Sequence, residues 1–150
     1  MSLKEKINND LKSAMKSGDK IRLATVRSIR ALILEFEKSG SEKELSAEDE
    51  IILLTSAAKK RKDSIEQYAN AGRDELVAKE KAELEILNTY LPEQMSPEEV
   101  EKQVKDLAAE IGAESKADFP KLMPLAIKNL KGKADGKIIK EMVDKVLGGD

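Results

Sequence analysis

The chain has 150 residues, 40% hydrophobic and 37% charged, with a net charge of −2, enough for one ordinary domain or two very small ones. It contains no Cys and no His, which excludes disulfides, thiolate metal sites and any Ser-His-Asp or Cys-His apparatus. Weak net acidity argues against a dedicated nucleic-acid binder, but the charge is uneven. Residues 1–30 carry eight basic and three acidic side chains, and 121–140 hold six lysines against the single Asp135.

In chain order, Leu3, Ile7, Leu11 and Met15 step by four and predict a first helix with those residues on one face. Gly18 ends it and Asp19 is placed to cap the second. There Leu23, Val26, Ile29, Ile33 and Phe36 form the inner stripe, widened by Ala31, Leu32 and Leu34. Ser39-Gly40-Ser41 breaks the pattern. Ser46 followed by Asp49 reads as a capping box for a third helix. Its row is Ile51, Leu54, Ala58, Arg61, Ile65 and Tyr68, so Arg61 occupies an apolar position and invites a buried carboxylate.

Gly72 ends the third helix, and Asp74 can cap a fourth carrying Leu76, Leu84, Leu87 and Leu91. Pro92-Glu93-Gln94-Met95-Ser96-Pro97 is the clearest boundary. Ser96 as N-cap and Pro97 at the first helical position open a fifth helix with Val100, Val104, Leu107 and Ile111, closed by Gly112. A sixth starts near Phe119 and Pro120 with Met123, Ile127 and Leu130 on its face. Pro124 fits only in its first turn. Gly132 ends it, and Asp135 can cap a last, strongly apolar helix through Leu147.

Nothing alternates with period two outside these helices, so the expected class is all-α. A helical N-terminal part of about four helices (1–92) precedes a small three-helix C-terminal bundle (97–150). The N-terminus, Met1-Ser2-Leu3-Lys4-Glu5, lacks the apolar core of a secretory signal, and no apolar run approaches membrane-spanning length. A cytoplasmic protein without membrane association is expected. Its oligomeric state is left open.

Three constellations invite a chemical reading. The carboxylates Glu48-Asp49-Glu50, Glu80-Glu83-Glu85 and Glu98-Glu99 sit in first turns or on charged faces, which suits helix dipoles and solvation better than acid–base catalysis. The joint Lys131-Gly132-Lys133-Ala134-Asp135-Gly136-Lys137 is not a Walker A loop, because its glycine spacing is too short and Ile138 stands where Ser or Thr would hold magnesium. Gly132 and Gly136 could admit a close ligand, the last helix could offer N–H groups to an anion, and Lys128, Lys131, Lys133, Lys137 and Lys140 add charge. The same joint also reads as ordinary capping with solvated lysines. Lys59-Lys60-Arg61-Lys62 fan around the third helix and form a secondary phosphate-binding candidate. Without aromatics near the lysines, any RNA contact would go to backbone and shape.

Several stretches together resemble the YqeY proteins, stand-alone relatives of the C-terminal tail of GatB, the B subunit of the bacterial tRNA-dependent amidotransferase. They are Asp10-Leu11-Lys12 with Ala14-Met15-Lys16, then Lys60-Arg61, Ser64-Ile65 and Tyr68. Gly72-Arg73, Lys79-Glu80, Tyr90-Leu91-Pro92 and Gln94 follow, and Lys131–Lys137 is the last. The resemblance implies an all-helical fold and a tRNA-holding role centred on the Lys131–Lys137 loop. The chain departs from the family at Lys133, where Arg is usual, and at Pro120 and Pro124, where glycines are usual.

The leading expectation is a non-catalytic accessory module that binds tRNA or similar structured RNA through phosphates, with no cofactor and no metal. One alternative is a protein–protein adaptor whose apolar groove receives a partner helix. Another is a trans-acting partner of a glutamine-dependent carbon–nitrogen ligase. That kinship carries an amidotransferase label, but the chain has no visible glutaminase nucleophile.

Overall fold

Helix ends in this protein follow the side chains placed at them. The computed structural model describes residues 1–39 and 44–148, and the described residues form seven α-helices with no strand. They are α1 (Leu3–Ser17), α2 (Lys20–Lys38), α3 (Ala47–Asn70), α4 (Asp74–Asn88), α5 (Pro97–Ile111), α6 (Phe119–Leu130) and α7 (Gly136–Gly148). A single 3₁₀ turn, Lys116–Asp118, precedes α6. The chain divides into two compact units, Met1–Pro92 and Glu93–Asp150.

In the first unit Ser2 and Ser46 each close a capping box, with Glu5 and Asp49 respectively. Asp19 accepts from the Arg22 N–H, and Gly18 ends α1 at φ 73°, a left-handed conformation that glycine adopts without strain. The break read at Ser39-Gly40-Ser41 is described only at Ser39, the C-cap of α2. Gly40 and Ser41 lie outside the described residues. At α4 the cap is Arg73, without a side-chain bond, and Asp74 is the first helical residue, so Asp74 supports the helix dipole instead of capping.

Leu3, Ile7, Val26, Ile29, Ile33, Leu54, Ala58 and Leu87 form the core of this unit. Met15 is not among them. It is 58% exposed, and Ala14 is buried in its place. A step of four residues turns a helix by about 400°, so three steps carry Met15 about 120° from Leu3, whereas Ala14 returns to within about 20°. Ala31 is exposed, so α2 buries a narrower stripe than its sequence suggests.

The second unit packs Val100, Val104, Leu107 and Ala108 of α5 against Leu122, Ala126 and Leu130 of α6 and Ile139, Val143 and Leu147 of α7. Ser96 caps α5 by accepting from the Glu99 N–H, and Gly112 ends it at φ 68°. The α6 face differs from the expected one. Leu122 and Ala126 are buried, Met123 is half-buried and Ile127 is 41% exposed. Two apolar rows run along α6, and only packing selects between them. Ile111 is likewise exposed, at the far end of α5. Pro124 lies inside α6, past the first turn. Its missing N–H removes the bond that would have ended on the Pro120 carbonyl.

Candidate nucleic-acid interface

The junction between α6 and α7 is built tightly. After Leu130 the chain extends through Lys131 (ψ 127°) and reverses at Gly132, whose φ of 80° requires glycine. The N–H groups of Lys133 and Ala134 both donate to the Leu130 carbonyl, at 2.9 and 3.2 Å. Ala134 is buried, anchoring the turn in the core. The segment before α5 fastens the turn from outside. The Met95 N–H donates to the Lys133 carbonyl at 2.8 Å, and Gln94 Nε2 donates to the Gly132 carbonyl at 2.7 Å.

Gly132 is itself buried and its carbonyl is engaged, so it shapes the turn and does not line a surface. Gly136 is exposed, with open space where a Cβ would stand. The start of α7 is already served by its own side chain. Asp135 Oδ1 accepts the Lys137 N–H at 3.0 Å, which puts a carboxylate where an anion at this helix end would sit.

The lysines are presented differently. Lys128, Lys133, Lys137 and Lys140 are exposed, Lys131 is half-buried, and among the described residues the first four make no ion pair. The turn therefore displays exposed cations on a hydrogen-bonded backbone. Such a surface can hold phosphates through ammonium groups, with no contribution from the helix N-terminus.

The secondary candidate resolves otherwise. Lys59 and Lys60 are exposed, and Lys62 is half-buried and has an interaction of its own. Arg61 is spoken for. One guanidinium nitrogen pairs with Glu83 and, at 3.3 Å, with Glu80, while the other donates to Ser28 Oγ at 3.0 Å. Glu83 is only 6% exposed, so this carboxylate is a buried counter-ion and not part of a solvated face. Arg61 on the apolar row of α3 was the sequence signal for it. The acidic cluster around residue 80 concealed which carboxylate would answer. Among the described residues no group of His, Cys, Asp and Glu is arranged to hold a metal ion.

Comparison with known proteins settles the lineage. The family described as Yqey-like protein matches residues 4–147. The chain belongs to the YqeY family. It is similar to "Altered inheritance of mitochondria protein 41, mitochondrial" of Pyrenophora tritici-repentis, 31% identical over 95% of this chain and 80% of that protein. The Kluyveromyces lactis protein of the same name is 33% identical over 89% of this chain and 69% of its own length. The Saccharomyces cerevisiae protein is 33% identical over 87% and 69%.

These relatives correct the cytoplasmic expectation, because they are mitochondrial by name. The missing apolar segment spoke only against secretion. Import into an organelle uses amphipathic, Arg- and Ser-rich leaders that need no apolar core. Among the described residues no helix is long and apolar enough to cross a membrane.

Proposed function

We infer that this YqeY-family protein is a non-catalytic accessory module that binds tRNA or similar structured RNA through backbone phosphates. What supports the reading is one observation: four exposed lysines that make no ion pair among the described residues, around a turn whose backbone is held from two sides. Lysines without partners lose little on meeting a phosphate, and a fixed turn keeps their spacing constant. Lys131 contributes at the edge, and the Lys59–Lys62 run is secondary because Arg61 is engaged.

Binding of total tRNA to the full chain at a series of salt concentrations tests this. Neutralising about three to five phosphates gives a log–log salt slope of magnitude about two to five. Lys133→Ala with Lys137→Ala lowers that slope by about two and weakens unrelated tRNAs alike, since phosphate contacts position without specifying. Unchanged helical content and melting temperature of the variant must accompany the loss. No binding at low salt, or binding indifferent to salt, overturns the reading.

The two compact units are read as separate domains, a four-helix domain over 1–92 and a three-helix domain over 97–150. Limited proteolysis is then expected to cut first between Pro92 and Pro97. A first cut within 51–68 would defeat that division.

A further inference from the structure

The first unit contains a feature that RNA binding does not use. In it α2 packs mainly on α1 and α4, and α3 packs mainly on α4, which leaves a cleft of about 630 Å³ between α2 and α3. Leu32 and Phe36 form one wall, and Ile52, Leu53 and Ala57 form the other. Ile52 is 44% exposed within it. Lining positions recur every three or four residues on both helices, from Ser28 to Ser39 on α2 and from Asp49 to Ser64 on α3. At about 1.5 Å per residue these walls run about 16 and 22 Å, the length of about 11–15 helical residues. An elongated apolar trough between two helical ridges matches the packing surface that a third helix needs.

The charges around the trough say which helix. Ser28 is bonded to Arg61, so α2 and α3 run antiparallel along it, with Glu35 and Asp49 near one end and Lys60 and Arg61 near the other. The positive charge of Arg61 is committed to Glu83 and Glu80. Three carboxylates line the trough against two cations, and Glu83 stands behind Arg61. The trough is therefore apolar along its walls and net acidic among the charges that line it.

We propose that the α2–α3 cleft is a docking site for an amphipathic helix of a partner protein, apolar on one face and basic along its flanks. Leucine-sized side chains of that helix enter between Phe36 and Ile52, and its basic residues lie against Glu35. This site is built from first-unit residues alone and the lysine turn from second-unit residues, so each is tested by its own variants.

The probe is an amphipathic Leu/Lys peptide of about 14 residues, the length the trough accommodates. Its controls are a Leu/Glu peptide of the same pattern and a scrambled Leu/Lys peptide of the same composition. Binding to the full chain is read by fluorescence anisotropy and by amide chemical-shift mapping. The expected result is affinity about tenfold or more above both controls, with shifts confined to the facing sides of α2 and α3. Ile52→Ser and Glu35→Lys each weaken it about fivefold to tenfold, and Ser56→Trp, filling the trough from an exposed position, abolishes it. None of these residues belongs to the core, and a melting temperature within a few degrees of the parent confirms that each variant is folded. Equal binding of the scrambled peptide, or shifts elsewhere, overturns the proposal. So do amide shifts confined to the facing sides of α2 and α3 on adding tRNA alone, which would make the trough an RNA seat. A self-association that Ser56→Trp abolishes would name a second copy of this chain as the occupant and overturn it too.

Discussion

The two units use the same helical vocabulary and hold their helices together by different means. In Glu93–Asp150 the buried side chains among the described residues are all apolar, the α6–α7 turn is closed by backbone bonds and by Gln94, and the Lys145–Glu101 ion pair between α7 and α5 lies at the surface. In Met1–Pro92 an ionic cluster joins three helices, Ser28 of α2, Arg61 of α3, and Glu80 and Glu83 of α4, beside an apolar core. A second polar tie closes the same unit. Tyr90 donates to Asp10 at 2.5 Å, Arg22 approaches Asp10 at 3.8 Å, and the Lys6 ammonium lies 5.1 Å from the centre of the Tyr90 ring. The difference teaches that a buried ionic cluster helps choose which helices meet in the first unit, whereas the buried contacts of the second are apolar and its inter-helix ion pair is superficial.

The sharpest way to break this comparison is Arg61→Met. It leaves Glu83 buried without its counter-ion, and urea denaturation is expected to show a loss of about 3–5 kcal/mol. Adding Glu83→Leu should return most of that loss, because the second change removes the stranded charge. A loss below about 1 kcal/mol would mean the first unit is held as the second is, by its apolar core. In the second unit Leu122→Ala, at a fully buried position, is expected to lose about 3 kcal/mol with no rescue by any charge change.

Smaller effects sharpen the contrast. Gly132→Ala forces a side chain into the left-handed region and is expected to lose about 1–2 kcal/mol, read as a lower melting temperature. Tyr90→Phe removes the bond to Asp10 and loses about 1 kcal/mol. Burial, followed by the bond to Asp10, pushes the Tyr90 phenol above its usual range. A raised folded value means this contribution is complete below the unfolded pKa of about 10 and is lost as pH rises beyond it. Parent and Tyr90→Phe stabilities should therefore converge in strong alkali. Smallest of all is Glu101, whose carboxyl the bonded Lys145 ammonium holds below its usual range. Its depressed value stabilises the fold above the usual carboxylate range and ceases to do so as pH falls. Glu101→Gln should therefore flatten the acid limb of the stability curve slightly.

Much of the fold was legible because helix ends are local. Ser46 with Asp49, Ser96 with Pro97, and the glycines at 18 and 112 each act within one turn, and each marks a helix end in the structure. What the sequence obscured depends on distance. Glu83 lies 22 residues from Arg61, and nothing local separates it from Glu80 or Glu85. Row drift hid Ala14 behind Met15, and a second apolar row on α6 hid Leu122 and Ala126. Around the lysine turn, spacing located the cations. It also placed Asp135 as the cap of the last helix, but it could not announce that Gln94 would reach Gly132, since that contact is set by how the turn folds back.

That reach of Gln94 has a mechanical side. The chain enters the second unit at Glu93, and the next two residues are hydrogen-bonded to the turn that bears the lysines. A pull on the incoming strand meets those two bonds before it meets any helix of this unit. Bonds of this kind yield more easily than a packed helix, so their loss would loosen the turn before the bundle behind it. The turn that bears the lysines is thus fastened by the segment that opens this unit, as a clasp is held by the strap that runs through it.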